Sequence, residues 1–332
     1  MPERLSQIET WLYQTLERTD IEIRPASADA SFRRYWRITQ QGQTLIVMDA
    51  PPAREDCRPF MAITRLLEQA GVHVPRILAS APDLGLLLLE DLGERHYLDR
   101  LNADSAGQLY ADAITALIQM QAGAPAQDLP VYDAALLQQE MALFRGWLLD
   151  THLQLELSAV EQQLVADCFQ GLTRAALEQP RVFVHRDYHS RNLMVCAGGN
   201  PGILDFQDAV YGPCSYDLVS LLRDCYIRWP RERVRTWALE YLRQASEAGI
   251  LPRLPEDRFL RWFDLMGVQR HLKASGIFAR LCHRDGKAAY LEDIPLTLGY
   301  IAEIGPQYQE TRALADLINN RVLRALEQLE TK

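Results

Sequence analysis

The sequence predicts an α+β fold with two lobes, a small antiparallel-sheet lobe at the N-terminus and a larger, mostly helical lobe after it. The chain has 332 residues, which is long for one compact domain and suits two lobes that share a cleft. Short extended segments dominate the first part of the chain, whereas long amphipathic segments dominate the rest. We place the two lobes at residues 1–93 and 94–332.

Composition and charge exclude several classes of protein. Hydrophobic residues make up 48% of the chain and charged residues 24%, which is typical of a protein with a packed core. The net charge of −9 disfavours nucleic acid and anionic membranes as partners, and no apolar run is long enough to span a membrane. The N-terminus lacks the pattern of a signal peptide, and six scattered cysteines indicate free thiols. We therefore expect a cytoplasmic protein with no obligate protein partner.

The first lobe is predicted to be a small sheet with two helices. Apolar residues recur at helical spacing over residues 4–17 and predict a helix there. A second helix is predicted over residues 55–70, where Gly71 is a suitable C-terminal cap. The predicted strands cover residues 21–24, 35–39, 44–49, 76–80 and 86–91.

The second lobe is predicted to be helical except for one irregular segment at residues 181–213. That segment is rich in β-branched residues, turns and charges, and polar groups gathered between apolar strands often mark a functional site. The predicted helices cover residues 103–122, 133–150, 158–178, 215–227, 231–248, 256–275 and 308–329.

The irregular segment contains the residue types that phosphoryl transfer requires. A strand leads into a loop that contains Asp187, and a two-stranded hairpin follows, bracketed by Asn192 and Asp205. These two side chains can converge at the open end of the hairpin, where a pair of oxygen ligands suits Mg²⁺. The carboxylate on the entering loop can accept the proton of a hydroxyl group. A metal that neutralises phosphate charge and a base that orients the nucleophile are the parts of a phosphotransferase.

This pattern resembles the signature of the protein-kinase-like fold. Residues 185–187 read His-Arg-Asp and, with Asn192, match the catalytic loop, whereas the Asp-Phe pair at 205–206 matches the metal loop. His189 makes the pattern similar to the branch that contains the aminoglycoside phosphotransferases and choline kinases, which phosphorylate small molecules. The resemblance covers most of the chain, because the sheet lobe, connector and helical lobe follow that family's order. It implies ATP and Mg²⁺ as cofactors and nucleotide binding by the first lobe.

The resemblance also implies a role for each matching residue. Asp187 is expected to be the catalytic base, and Asn192 and Asp205 are expected to hold Mg²⁺. His185 is expected to be a structural anchor of the loop. Asp217 is expected to be the buried acid that holds the same loop from the following helix.

Three neighbouring residues have less specific expectations. For His189 we expect a hydrogen bond that stabilises the catalytic loop, because most buried polar side chains have such a structural role. Gln207 and Asp208 follow the metal loop. They either line the acceptor site or cap the turn that comes next.

The predicted phosphate loop covers residues 26–35, between the first two strands. Its small residues allow backbone N–H groups to approach phosphates, although the loop has no glycine. The expected nucleotide contacts from this loop are Ser31, Phe32, Arg33 and Arg34. The carbonyl group of Glu90 and the N–H group of Leu92 stand where the resembled family presents backbone groups to adenine.

The chain departs from the family pattern on the third strand, where Met48 stands in place of a phosphate-binding lysine. The first lysine of the whole chain is Lys273, so no nearby lysine replaces it. Arg33 or Arg34 can take over this role, because a guanidinium binds phosphate oxygens through two parallel hydrogen bonds. The alternative is that ATP binding has been lost.

Two further parts of the sequence resemble the bacterial anomeric amino-sugar kinases, which phosphorylate N-acetylmuramate and N-acetylglucosamine. The first part is residues 31–37 followed by 47–52, and the second is residues 269–281 followed by 284–287. This resemblance implies ATP-dependent phosphorylation of the C1 hydroxyl of the sugar. The product would be the α-1-phosphate, formed during peptidoglycan recycling.

The acceptor site is less specific in the sequence. N-acetylmuramate has a lactyl carboxylate, which a cationic side chain can recognise. The candidates in the second lobe are Arg191, Arg223, Arg270 and Lys273, each of which can instead form a salt bridge on a helix surface. Two alternatives stay open: a kinase of another small alcohol, such as an aminoglycoside, choline or homoserine, and a nucleotide-binding pseudokinase. A protein kinase is disfavoured, because the helix with Asp217 follows Asp205 too closely for a long activation loop.

Overall fold

The structure is a computed structural model that describes residues 2–28 and 32–330. The N-terminal part is a five-stranded antiparallel sheet in the order β1-β2-β3-β5-β4. Its strands are β1 (Glu22–Ala28), β2 (Arg34–Gln40), β3 (Gln43–Asp49), β4 (Ile77–Ala81) and β5 (Leu86–Glu90). Two helices accompany the sheet, α1 (Pro2–Leu16) and α2 (Arg58–Gln69).

A two-residue turn sets the register of the central hairpin. Gln40 pairs with Gln43, and the intervening Gln41 and Gly42 both have positive φ, at 50° and 78°. Two-residue hairpin turns of this kind need positive φ at both central positions, and the glycine reduces the strain. The turn therefore brings β2 and β3 together without any further connection.

The leucine run of β5 is buried because the sheet is covered on both faces. Alternate side chains of a strand point to opposite faces. Leu86 and Leu88 pack with Ile8 and Leu12 of α1, whereas Leu87 and Leu89 belong to the core on the α2 side. The predicted continuous apolar strand is therefore the middle layer of three.

The remainder of the chain is mostly helical. Its helices are α3 (Tyr97–Arg100), α4 (Ala106–Gly123), α5 (Ala134–Leu143), α6 (Ala159–Leu177), α7 (Tyr216–Leu222), α8 (Arg231–Glu247), α9 (Glu256–Asp285), α10 (Ile294–Ile304), α11 (Gln309–Leu317) and α12 (Leu323–Glu330). None of the helices within the described residues is both long and apolar enough to cross a bilayer. The predicted α+β class, with a small sheet and a larger helical part, is confirmed. The predicted boundary between residues 93 and 94 stays a prediction.

The irregular segment folds as two short strand pairs. Strand β6 (Arg181–Val184) pairs with β9 (Val210–Pro213), and between them β7 (Leu193–Met194) pairs with β8 (Gly202–Ile203). The inner pair is the hairpin that the sequence predicts. Because β6 and β9 are neighbours, the loop that leaves β6 and the loop that enters β9 lie side by side.

The predicted helices differ from the observed ones, most of all at α9 and α10. Helix α9 has 30 residues and ends at Asp285, where Gly286, with a φ of 71°, caps it, so it extends well beyond the predicted residues 256–275. Helix α10 was not predicted at all. Its sequence is apolar around most of its circumference, and it therefore lacks the polar stripe by which an amphipathic helix is recognised.

The crossing of α5 and α9 requires a glycine. A Cβ atom on Gly276 would lie 2.3 Å from the carbonyl carbon of Leu143 and 2.5 Å from its oxygen, closer than any real contact. We expect Gly276→Ala to lower the free energy of unfolding by about 1–3 kcal/mol through overpacking, measured by chemical denaturation. Gly107→Ala in α4 is the control, since its Cβ would meet nothing within 4 Å and alanine favours a helix. Equal stability of the two variants would contradict this account of the crossing.

Candidate active site

A cleft of about 440 Å³ separates the sheet from the irregular segment. Tyr35, Ile46 and Leu89 line it from the sheet, and Asn192 and Asp205 line it from the opposite side. Apolar walls on one side and oxygen ligands on the other are suited to a ligand that has both a planar apolar part and an anionic part.

The catalytic-loop backbone turns sharply where β6 ends. Asp217 of α7 is fully buried, and its carboxylate accepts the N–H of His185 at 2.7 Å and the N–H of Arg186 at 3.0 Å. Arg186 has a φ of 78°, a conformation that a residue with a side chain rarely adopts. Burial raises the pKa of Asp217 to about 7. Asp217 therefore holds the loop from the following helix.

His185 connects the catalytic loop to the metal loop. Its ring Nε2 lies 3.0 Å from the carbonyl oxygen of Leu204, and its Nδ1 accepts the backbone N–H of Asp187 at 3.2 Å. Burial lowers the pKa of His185 to about 4, so the ring is neutral at pH 7. A neutral ring that accepts at Nδ1 donates at Nε2, and it therefore links the two loops by one bond at each nitrogen.

Asp187 is partly buried on this loop and is ionised at neutral pH. Burial alone would raise the pKa of its carboxyl group, but Lys273, His189 and Arg270 outweigh that effect and lower it. An ionised carboxylate can accept a proton from a hydroxyl group. The chemistry that the sequence predicts for Asp187 is therefore available at its observed position.

Asn192 and Asp205 face the same cleft and offer oxygen atoms to a cation. The amide nitrogen of Asn192 donates to the carbonyl oxygen of Asp187 at 3.0 Å, which leaves its Oδ1 for another partner. Asp205 has a φ of 61°, and its Oδ1 accepts from Gln207 at 2.9 Å. No cluster of three or more His, Cys, Asp or Glu side chains in residues 2–28 and 32–330 is arranged to hold a metal. One amide and one carboxylate oxygen fit Mg²⁺, which keeps several waters and takes further oxygens from phosphates.

The metal loop is also tied to the sheet side of the cleft. Phe206 is fully buried, and its ring centroid lies 4.8 Å from that of Phe60 on α2. Phe60 itself lines the cleft. The residue after the carboxylate ligand therefore fixes the metal loop against a helix of the other part of the chain.

The two adjacent arginines of the predicted phosphate loop point to opposite faces of the sheet. Arg33 lies on the cleft side, with a nitrogen atom 3.5 Å from Oδ1 of Asp205. Arg34 lies on the α1 side, where it pairs at 2.6 Å with the fully buried Asp49, which also binds Arg4 at 2.7 Å. Only Arg33 of this pair is therefore placed beside the metal loop, and the prediction of a nucleotide contact does not fit Arg34.

The other two loop predictions have different outcomes. Ser31 lies outside the described residues. Phe32 is 56% exposed, with the guanidinium of Arg54 over its ring, and its N–H donates to Glu55 at 3.3 Å. The Phe32 ring therefore packs on a surface arginine, and a nucleotide contact by Phe32 stays a prediction.

The connector between sheet and helices lines the cleft. Glu90 and Leu92 both do so, and the Glu90 carboxylate pairs with Arg76 at 2.9 Å.

The sequence analysis missed Arg37, which is nearly buried. Its guanidinium group donates to Asp91 at 2.6 Å and to the carbonyl oxygen of Gly93 at 2.7 Å. These bonds from Arg37 hold the connector against β2. The alternation of residues 33, 35 and 37 on one face of the strand was the signal that could have found it.

Two of the predicted acceptor contacts have structural partners instead. Arg223 is buried, pairs with Asp264 and lies over the ring of Phe263, so a substrate contact does not fit its position. Lys273 is buried too and pairs with Glu140 at 3.0 Å, while it donates to Tyr216 at 2.9 Å. Both side chains therefore have partners within the helical part of the chain, and the Lys273 charge also acts on Asp187.

The remaining acceptor predictions lie near Asp187. Arg270 is 5% exposed and acts on Asp187 through its charge. Gln207 donates to Asp205, so it holds a metal ligand, and Asp208 is exposed beside it. Arg191 is exposed and lines the cleft.

Comparison with known proteins assigns the family. Residues 22–263 match the phosphotransferase enzyme family designated APH. The chain belongs to this family. It is 47% identical to an N-acetylmuramate/N-acetylglucosamine kinase of Pseudomonas putida, over 96% of this chain and 97% of that one. It is 48% identical to a Pseudomonas aeruginosa protein of the same name, over 95% and 96% of the two chains. An ethanolamine kinase of Plasmodium vivax has a similar fold, with a TM-score of 0.63 and 11% identity over 90% of this chain and 85% of that chain.

Membership in the phosphotransferase family confirms the prediction of a small-molecule kinase.

A buried charge cluster next to the catalytic loop was missed by the sequence analysis. Glu140 of α5 accepts bonds from Arg186 and Tyr132 and pairs with Lys273 of α9. Nothing in the local sequence around Glu140 indicates this role, because its partners come from distant segments. The cluster neutralises the arginine of the catalytic loop inside the protein.

A second missed carboxylate holds the far end of the catalytic loop. Asp224 is buried and accepts both the backbone N–H and the hydroxyl of Ser190, and it also accepts the N–H of Tyr226 at 3.2 Å. Asp217 and Asp224 are seven residues apart, at the beginning of α7 and just after its end. One short helix therefore fixes the phosphotransferase loop on both sides of Asp187.

Removal of Glu140 should strongly destabilise the protein. Glu140→Ala leaves the partly buried Arg186 and the buried Lys273 without this counter-charge, and such a loss costs about 3–5 kcal/mol. Adding Lys273→Met to that variant should restore part of the stability, because it removes one of the uncompensated charges. Denaturant unfolding of the two single variants and the double variant measures this coupling. Strictly additive losses would contradict the proposed cluster.

The same cluster has a pH dependence. Burial raises the pKa of Glu140, but Lys273 and Arg186 reverse this, so its pKa lies below the ordinary value. A carboxyl group with a depressed pKa in the folded state stabilises the fold at neutral pH, and this contribution is lost as the pH falls through the acidic range. The stability difference between the wild type and Glu140→Ala should therefore shrink on acidification.

Proposed function

We propose that this protein transfers the γ-phosphoryl group of ATP to the C1 hydroxyl of N-acetylmuramate and N-acetylglucosamine. The product is the α-1-phosphate, and the reaction belongs to the reuse of cell-wall sugars. One observation carries the chemistry: Asp187 shares its loop with Asn192, which lines the cleft beside Asp205. The names of the two Pseudomonas relatives support the acceptor, since each of them aligns with this chain over nearly its whole length.

The reaction proceeds by direct displacement. Asp187 accepts a hydrogen bond from the C1 hydroxyl and orients its oxygen toward the γ-phosphorus. The new O1–P bond forms as the bond from phosphorus to the bridging β–γ oxygen breaks, ADP leaves, and the hydroxyl proton moves to Asp187. An anomeric hydroxyl is more acidic than an ordinary alcohol, so a carboxylate with a depressed pKa suffices as the base, since proton transfer occurs late.

The cleft divides into two functional parts in this proposal. Adenine lies against the connector at Glu90 and Leu92, between the apolar side chains of the sheet, and the phosphates extend toward the catalytic loop. Asn192 and Asp205 would hold Mg²⁺, which neutralises phosphate charge when it is bound. Arg33 supplies the cation that the family otherwise takes from a lysine on the third strand. The reaction is placed in the cytoplasm, where ATP is available, and the six free cysteines are compatible with that compartment.

The test is an assay of ADP release with Mg-ATP and a panel of acceptors. The panel contains N-acetylmuramate, N-acetylglucosamine, glucose, kanamycin, choline and no acceptor, and NMR identifies the phosphorylated position. We expect turnover of the two N-acetyl sugars, with phosphate on C1. Asp187→Asn is the matched control: it preserves the shape of the side chain and should reduce kcat by about a thousandfold or more while ATP still binds.

Other results would reject specific parts of the proposal. Turnover of kanamycin or choline alone would assign another small alcohol as the acceptor. ATP binding without turnover of any acceptor would favour the pseudokinase, and the missing lysine would then be its cause. Wild-type rates in Asp187→Asn would remove Asp187 from the role of base.

Arg33 and Arg34 offer a matched pair for the missing lysine. Arg33→Ala should raise the KM for ATP by about tenfold or more, because a charged hydrogen bond to phosphate contributes about 1.5–3 kcal/mol. Arg34→Ala should leave that KM near the wild-type value and lower the stability instead, since Asp49 loses one of its two arginine partners. Steady-state kinetics and thermal unfolding of both variants measure the difference. The reverse pattern would assign the phosphate contact to Arg34.

A further inference from the structure

The guanidinium group of Arg191 lies over an aromatic ring at the catalytic loop. Its guanidinium carbon is 3.6 Å from the centroid of the Tyr226 ring, and it follows Asp187 by four residues in the chain. Stacking on a ring holds the planar group in one orientation and leaves its N–H edges exposed. The position of this charge is therefore set before any ligand arrives.

The edges of that guanidinium are available. Within residues 2–28 and 32–330, Arg191 forms no ion pair within 4.0 Å and donates no hydrogen bond, although its charge acts on the half-buried Asp293 nearby. The three other cationic candidates near the acceptor side differ in this respect. Arg223 and Lys273 form ion pairs with carboxylates, and Arg270 is 5% exposed. Among these four, Arg191 alone is exposed.

Aromatic side chains and an unsatisfied histidine form a cluster with the Tyr226 ring. The Tyr226 ring meets His189 edge-on at 5.5 Å and lies 6.2 Å from Phe278, which in turn stacks on Tyr290 at 5.8 Å. The Nδ1 atom of His189 is buried without a hydrogen-bond partner among the described residues. This corrects the expectation that the His189 ring stabilises the loop by a hydrogen bond. Phe278 is 4% exposed and belongs to the helical core, so this cluster fixes the Tyr226 ring on which Arg191 rests.

We propose that Arg191, held on Tyr226, binds the lactyl carboxylate of N-acetylmuramate and thereby sets the preference between the two sugars. N-acetylglucosamine has a hydroxyl group where N-acetylmuramate has the lactyl ether, so the carboxylate is the charged difference between them. A guanidinium pairs with a carboxylate through two parallel hydrogen bonds. This inference rests on the proposed function. It assigns Arg191 to substrate discrimination, whereas Asp187 performs the step common to both sugars.

The test compares Arg191→Gln with a matched arginine that also lies over a tyrosine ring. Arg228 is exposed and lies 5.4 Å from the centroid of Tyr300, but it pairs with Glu303, so Arg228→Gln is the control. The readouts are kcat/KM for each sugar at saturating Mg-ATP and the KM for ATP. We expect Arg191→Gln to reduce kcat/KM for N-acetylmuramate by about tenfold or more and to leave N-acetylglucosamine within about twofold. Arg228→Gln should change neither sugar.

Each other outcome rejects a defined part of the argument. Equal losses with both sugars, or an increase in the KM for ATP, would place Arg191 in the common step and overturn the inference. An unchanged ratio between the sugars would overturn it as well. Arg191→Lys keeps the charge and should retain part of the preference, so it tests the idea if the glutamine variant does not fold. Wild-type protein that phosphorylates neither sugar would overturn the proposed function and this inference with it.

Discussion

The buried carboxylate of Asp217 is the constraint on which the active site depends. By accepting two successive backbone N–H groups it stabilises the left-handed conformation of Arg186, which by itself costs about 1–3 kcal/mol. That turn changes the chain direction between β6 and Asp187. Every later contact, from the His185 bridge to the Asn192 amide bond on the Asp187 carbonyl group, requires the backbone to turn there. A short helix after the site therefore determines the geometry within it.

The charges around the catalytic loop are balanced within the protein. Glu140 neutralises Arg186 and Lys273 in the interior, and the nearby cations lower the pKa of Asp187 despite its burial. Unpaired charges of one sign in the interior would lower the stability of the fold. A network of paired charges is tolerated there and holds its side chains in fixed positions. The loop is thus organised in the free protein, and substrate binding does not have to provide its counter-charges.

The residue on the third strand where the family pattern has a lysine belongs to the core of this protein. Met48 is fully buried and contributes to the core on the α2 side, so that position has become apolar packing. A cation is still present at the cleft, because Arg33 occupies the same face as Tyr35 and Arg37. On the other face, Arg34 and Arg4 of the N-terminal helix both form ion pairs with Asp49. The two adjacent arginines therefore have different roles: Arg33 places a charge at the cleft, and Arg34 helps to hold α1 on the sheet.

The sequence by itself determined the family, the fold class and the loop–hairpin–loop segment with Asp187, Asn192 and Asp205. These follow from spacing over about twenty residues, because local chain geometry brings the ends of a short hairpin together. Tertiary structure alone decided which arginine faces the cleft, since that depends on which face of the sheet α1 covers. It also decided the partners of Glu140 and the exposure of Arg191, because both depend on how helices far apart in sequence pack. The burial of Arg223 and Lys273 has the same origin, as an amphipathic helix pattern does not specify which charges meet a partner.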